Sequence, residues 1–300
     1  MPDKLETPES AAGMSDDVVL SRVVAWAEEQ PLVRAVVLES SRAVAGAPLD
    51  RFSDYDILLV VTETQPFSED NDWQRFFGEP LVRFGDPVDV MGIETYMRMV
   101  VYRDHTKIDF AIWPVELLRQ VVDQQAPTDM LDWGYRVLLD KDGLAARLPA
   151  PTRTAHIPPK PTEQEYRALV EEFWWESTYV AKNLWRDDLV FARYNLDIVM
   201  RNELLLPMLE WRIELDRDWA WKPGVVGRGL KRALAPDLWS AFERTYVGPG
   251  IAENWEALFA MTALFRRVAI EVGQALGYTY SQQLDDGVTA YLEEARRLPQ

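Results

Sequence analysis

The sequence predicts an α+β fold, with a mixed sheet and flanking helices in the N-terminal half and a helical bundle in the C-terminal half. Three observations carry this. Short apolar runs of strand-forming residues fill the region up to about residue 140. From Thr162 onward the apolar residues recur at helical spacing. Between the two patterns, residues 148–161 hold five prolines in 14 positions, a composition that sustains neither helix nor central strand. The domains expected are therefore 1–147, a linker 148–161, and 162–300, with a ligand held between the two halves.

In chain order, residues 1–13 are polar and expected to fray, and Ser15-Asp16-Asp17 offers an N-cap for a helix ending near Glu29. Residues 34–38 and 55–61 read as buried strands. A helix is expected around Asp70–Phe77, then strands at 87–93, 96–102 and 107–113. The last two are joined by a tight turn through Arg103-Asp104-His105-Thr106. Residues 137–140, followed by Lys141-Asp142-Gly143, add a final strand and turn. In the second half, Thr162 and Glu165 have the spacing of a capping box, and Tyr166, Leu169, Val170, Phe173, Trp174, Ala181, Leu184 and Trp185 trace one helix stripe. Further helices are expected near 189–211, 235–246, 252–277 and 285–297, with Trp219 and Trp221 docked onto the core from a connection.

Composition closes several branches of chemistry. The 300 residues contain no cysteine, which excludes disulfides, thiolate metal sites and a thiol nucleophile. The two histidines, His105 and His156, are far apart and lack metal-ligand spacing, so catalysis is expected to rest on carboxylates. A net charge of −17 disfavours nucleic acid and favours cationic ligands, although acidity also serves plain solubility. No signal-peptide core or membrane-spanning run is evident, so the expectation is a cytoplasmic protein with no membrane partner. A monomer is the expected state.

Three pieces carry the chemistry: Ser40-Ser41-Arg42 after a strand, Asp54-Tyr55-Asp56 entering the next, and Asp109 inside a later strand. Strand alternation sends the Asp54 and Asp56 carboxylates to one face. Like charges so close call for a neutralising cation, and hard oxygen donors suit Mg²⁺. Asp109, set among Ile108, Phe110, Ala111 and Ile112, is costly to bury unless it joins a metal or an ion pair, and it is the third carboxylate expected. A strand running into a helix N-terminus at Ser40 and Ser41, with the charge of Arg42, would make an anion site. Each piece also has a plain structural use: Asp-x-Asp is a common spacing, Ser53-Asp54 can cap a turn, and serines often cap helices.

Taken in order, VVLESSRA, FSDYDILLVVT and KIDFAIWP resemble the nucleotidyltransferase signature of a strand, Gly-Ser-Arg, Asp-x-Asp and a third Asp. The downstream FWWESTYVAKNLWRDDLVFARYNLDIVMRNELL, NWEALFAMTALFR and VTAYLEEARRLP resemble the aminoglycoside 6-adenylyltransferases, which modify streptomycin, and the likeness runs from about residue 15 to 299. The resemblance implies a nucleotidyltransferase-type sheet and transfer of AMP from Mg-ATP to an aminoglycoside hydroxyl with release of pyrophosphate. It further implies Asp54 and Asp56 as Mg²⁺ ligands on the triphosphate and Asp109 as a third ligand or the general base. Ser40, Ser41 and Arg42 would contact phosphates. Ser40 replaces the family's glycine and Glu39 a small or amide residue, so Ser40 is expected to push the triphosphate away or shift the loop.

In the helical half, the resemblance turns Lys182 toward ATP and Trp185 and Asp188 toward the drug. Their structural reading is an i, i+4 pair of Lys182 with Arg186, a core tryptophan and a helix cap. Asp197 has helical spacing to Arg193 and Arg201, which suits a salt bridge, with substrate contact as its other use. Two rival functions stand beside adenylyl transfer to streptomycin: the same fold acting on another small-molecule or protein acceptor, and a weakly active homologue that binds nucleotide or drug.

Overall fold

The computed structural model describes residues 17–155, 157–221 and 223–299. The chain divides into two compact units, Met1–Ala155 and His156–Gln300, and the division falls inside the proline-rich stretch. The expectations for residues 1–13, Ser15, Asp16 and His156 lie outside the described residues.

In the first unit, helix α1 (Val18–Glu29) starts at Asp17, whose carboxylate accepts from the backbone N–H groups of Val19 and Leu20 at 3.0 and 3.2 Å. Two donors of the first turn that have no partner inside the helix are thereby satisfied. The strands are β1 (Val33–Glu39), β2 (Tyr55–Val61), β3 (Pro80–Phe84), β4 (Pro87–Val90), β5 (Ile93–Tyr102), β6 (Lys107–Pro114) and β7 (Tyr135–Asp140). They form one sheet in the order β3-β5-β6-β2-β1-β7, with β4 also paired to β5. Only β2 and β6 pair in parallel; the other pairs are antiparallel.

Both faces of the central strands are covered, which is why β1 and β2 read as continuous apolar runs. On one face α1 packs with Trp26, Phe67, Phe77 and Phe110 over Val36, Leu38, Ile57 and Leu59. On the other, α2 (Val115–Gln124) buries Leu117, Leu118, Val121 and Val122 against Ala35, Val37, Leu58 and Val60. The hairpin turn between β5 and β6 holds His105 at φ 71°, with the Asp104 carboxylate accepting from Thr106 N–H at 3.0 Å.

Four local expectations change. The helix sought at 70–77 is a 3-10 helix over Asp72–Phe77. β3 is an added edge strand whose Leu81, Val82 and Phe84 are exposed, so no buried face announces it in the pattern. Helix α2 was not among the expected elements, although its buried residues lie at helical spacing. Most consequential for function, the helix expected after β1 is a four-residue 3-10 helix, Ser40–Ala43.

The second unit is helical. α3 (Glu163–Trp185) opens with the capping box: Thr162 Oγ1 accepts from Glu165 N–H at 3.2 Å, and Glu165 Oε2 accepts from Thr162 N–H at 2.7 Å. Then follow α4 (Leu189–Arg193), a π-helical stretch Tyr194–Leu205, α5 (Leu206–Leu215), α6 (Pro236–Glu243), α7 (Ile251–Leu276) and α8 (Gln282–Arg297). The core closes where α3 meets α7, with the Phe173 and Phe265 rings stacked at 3.6 Å. Trp221 docks onto this core from its connection. Asp285, fully buried, accepts from Arg266, Tyr280 and Thr289. Among the described residues no helix is long and apolar enough to cross a membrane.

Candidate active site

Because β2 and β6 run side by side in the same direction, their starts meet at one end of the sheet. Asp56 is the register partner of Asp109, and across the antiparallel pair Glu39 is the partner of Asp56. Glu39, Asp56 and Asp109 thus form a row of adjacent carboxyl residues on three neighbouring strands. Alternation sets Asp54, Asp56, Lys107 and Asp109 on the face that farther along carries Leu58, Val60, Ala111 and Trp113 under α2.

A lysine binds this cluster together. Lys107 Nζ donates to Asp54 Oδ2 at 2.6 Å and to Asp109 Oδ2 at 2.9 Å. Burial pulls the lysine's pKa down, but the bonds to the two carboxylates outweigh it and hold the ammonium charged. Burial raises the Asp109 carboxyl against the pull of Lys107. Asp56 is raised by burial and then by the charge of Asp109, with a hydrogen bond from Ser40 acting the other way. Glu39, only 1% exposed, is pushed up to about 8 by burial and then by Asp56, and its Oε1 has no hydrogen-bond partner.

Next to the carboxylates, the Ser40–Ala43 turn is braced rather than open. Ser40 sits at φ 60°, the left-handed region that costs a non-glycine residue about 1–2 kcal/mol. Its N–H donates to the carbonyl of Gly134 at 3.1 Å. Gly134 itself is at φ 130°, and a Cβ there would lie 2.7 Å from Val44 Cγ2. Arg42 donates to the carbonyls of Asp54 and Ser53 at 2.9 and 2.8 Å and stacks over the Tyr55 ring at 3.8 Å. The Tyr55 hydroxyl in turn donates to Asp17 at 3.0 Å, which ties the Asp-x-Asp turn to the start of α1.

The local structure at Ser40, Ser41 and Arg42 thus differs from the helix start expected there. A single 3-10 turn lacks the aligned N–H groups of a helix start, and the Arg42 guanidinium already serves backbone carbonyls. The three aspartates share one face, yet their side chains do not close into a cage: among the described residues no group of three acidic or histidine side chains is disposed to enclose a metal ion. The Lys107 ammonium lies between Asp54 and Asp109 instead. The donor chemistry nevertheless suits a hard divalent cation, because three carboxylates share one face at one end of the sheet and Asp109 Oδ1 is buried without a partner.

The other four expected residues belong to the second unit. Lys182 Nζ lies 4.1 Å from the centre of the Tyr179 ring. Trp185 packs against the helical core and its indole N–H donates to the Pro299 carbonyl at 3.2 Å. Asp188 is exposed at the N-cap of α4, with no capping bond from its side chain. Asp197 pairs with Arg193 at 2.7 Å and with the buried Arg201 at 2.5 Å. Lys107 and Glu39 were not singled out as site residues. The signal for Lys107 was present, since Lys-x-Asp in a strand is the same i, i+2 relation that joins Asp54 to Asp56.

The model of the streptomycin adenylyltransferase family matches residues 14–295. An aminoglycoside 6-adenylyltransferase of Bacillus subtilis (strain 168) is 32% identical over 265 residues, covering 87% of this chain and 90% of the relative. One from Campylobacter jejuni is 32% identical over 270 residues, covering 89% and 91%. The crystal structure of an aminoglycoside 6-adenyltransferase from Bacillus subtilis aligns over 93% of this chain and 98% of its own, at 26% identity and a TM-score of 0.47. With the family model spanning nearly the whole chain and relatives at this identity, the chain belongs to the streptomycin adenylyltransferase family, a family of nucleotidyl-transferring enzymes.

Proposed function

We propose that this enzyme transfers AMP from Mg-ATP to a hydroxyl of a cationic aminoglycoside, with the 6-hydroxyl of streptomycin as the acceptor, and releases pyrophosphate. The observation that carries the reading is the convergence of Asp54, Asp56 and Asp109 on one face at the shared end of β2 and β6. Family membership and the names of the relatives supply the acceptor class. Consumption of ATP assigns the reaction to the cytoplasm.

Asp54, Asp56 and Asp109 would hold Mg²⁺, which when bound neutralises charge on the triphosphate and orients it. Asp56, held by Ser40, keeps its carboxylate directed into the cluster. Asp109, raised by burial, is suited to accept the proton of the attacking hydroxyl, a contribution of about 10²–10⁴-fold for a placed base. Its other use is to complete the ligand set. Ser40, Ser41 and Arg42 would bear on the phosphates once the braced turn opens. The second unit would supply Lys182 for nucleotide and Trp185, Asp188 and Asp197 for the cationic acceptor. The acidic balance of the chain favours such an acceptor.

The test is direct. Purified protein incubated with ATP, Mg²⁺ and streptomycin should yield, by mass spectrometry, drug carrying one added AMP together with an equal amount of pyrophosphate. No adduct across a panel of aminoglycosides rejects the reading. Drug bound in calorimetry without pyrophosphate release would point to a binding protein instead.

A further inference from the structure

The Lys107 ammonium occupies the interval between Asp54 and Asp109, and the two bonds it makes, 2.6 and 2.9 Å, are those of a full ion pair to each carboxylate. Among the described residues it is the one cation within ion-pair distance of these carboxylates. Arg42 meets Asp54 only through the backbone oxygen. The lysine reaches the cluster from the start of β6, two residues before Asp109 on the same face, so its backbone is fixed by the sheet and only side-chain rotation would withdraw its head. Its side chain is 35% exposed, as is that of Asp54, whereas that of Asp109 is 13% exposed. The ammonium, like Asp54, therefore has an exit to solvent that the Asp109 carboxylate lacks.

We infer that Lys107 is a built-in competitor for the divalent cation: its ammonium neutralises Asp54 and Asp109 in the empty site and must leave before a metal ion takes their oxygens. Two oxygens engaged by an ammonium cannot also sit at the roughly 2.0–2.1 Å that Mg²⁺ requires while the positive head stays between them. Binding is then limited by the fraction of molecules in which the lysine has swung out, and the apparent affinity is reduced by that fraction. The arrangement offsets the repulsion between Asp54 and Asp109 in the metal-free enzyme while making free metal a weak ligand. This inference rests on the reading that Asp54, Asp56 and Asp109 hold the metal.

The test is calorimetric titration of Mn²⁺ into the nucleotide-free, full-length protein, comparing wild type with K107M, K107Q, R103M and D56N. Arg103 lies on the exposed turn of the same hairpin, so R103M removes the same unit of charge without touching the cluster. Thermal melts followed by circular dichroism establish that each variant is folded, and K107Q stands in if K107M is not. Titrations are run at about 0.05 and about 0.5 M KCl, because a long-range field is screened at the higher salt whereas a bridging contact is not.

The expected result is Mn²⁺ binding at least about tenfold tighter in K107M than in wild type at both salts, as when only about a tenth of molecules are competent. R103M should stay within about twofold of wild type, the small effect of an exposed charge. Equal or weaker binding in K107M, with wild-type binding still lost in D56N, overturns the competitor role and leaves the metal assignment standing. A gain that vanishes at high salt or is matched by R103M overturns it as well. Binding that does not depend on Asp56 in any variant removes the metal assignment and the inference together.

Discussion

Glu39 and Asp56 face each other across the β1–β2 pair, two carboxyl residues in adjacent places of one row, and Glu39 is the more deeply buried. Burial and then the charge of Asp56 push the Glu39 carboxyl from its ordinary 4.5 up to about 8. An acid whose pKa rises on folding takes up a proton, so it costs nothing below its unfolded pKa and increasingly destabilises the fold as pH climbs to its folded value. Glu39→Gln should therefore match wild type near pH 4, gain stability progressively up to about pH 8 and then level off. Urea midpoints of both proteins, measured in EDTA across this range, provide the check. A difference that does not vary with pH would show that Glu39 does not titrate there.

Asp56 lies at the centre of the row, between Glu39 and Asp109. Asp56→Asn keeps the shape and the possibility of a bond to Ser40 while removing the charge, so the fold should persist and turnover should fall on the order of 10³-fold or more. Pyrophosphate release gives the rate and circular dichroism the fold. Activity within tenfold of wild type in a folded protein would contradict the placement of the metal.

Much of this site could be read from residues two apart. Asp54 and Asp56, and the strand β2 that they enter, follow from alternation and from a run of buried β-branched and aliphatic side chains. The capping box of α3 was equally legible, because Thr162 and Glu165 satisfy each other within one turn. What sequence could not carry was partnership across strands. The register that sets Asp56 beside Asp109 and Glu39 beside Asp56 is fixed by two different strand pairings, and no local spacing encodes it. The course of the turn at Ser40 was not legible for a related reason. Its course depends on a bond to the carbonyl of Gly134, far away in the chain, and that contact holds Ser40 in a conformation its own side chain disfavours.

Asp132 gives a second pH-dependent prediction, of opposite sign. Only 2% exposed, it accepts from the backbone N–H groups of Thr152, Arg153, Thr154 and Ala155 and from the Thr152 hydroxyl. Burial alone would raise its pKa, but the bonds from Ala155, Thr152 and Arg153 overcome that and hold the carboxyl well below the usual carboxylate range. The stabilisation is thus complete above the unfolded pKa, about 3.9, and is lost as pH falls through the lower folded value. Asp132→Asn should cost roughly 2–3 kcal/mol at neutral pH, the value of hydrogen bonds to a buried charge. The gap between the two proteins should stay constant from about pH 8 to 5 and close below about pH 4. Denaturant titrations at these pH values decide it, and a gap that widens in acid would refute the sign.

Asp197 separates a structural role from a substrate-binding one. It is paired with Arg193 and with Arg201, and Arg201 is 2% exposed and also donates to the Thr245 hydroxyl at 2.9 Å. Removing one partner of a buried ion pair leaves the other charge uncompensated, which costs about 3–5 kcal/mol when burial is complete. The Asp197 side chain is 24% exposed, so Asp197→Ala should lose roughly 2–4 kcal/mol. If that pairing is its whole function, the folded variant assayed well below its melting temperature should keep the wild-type KM for the aminoglycoside. A KM raised tenfold or more with little loss of stability would instead assign Asp197 to the acceptor, since a carboxylate that binds the drug contributes to affinity more than to the fold.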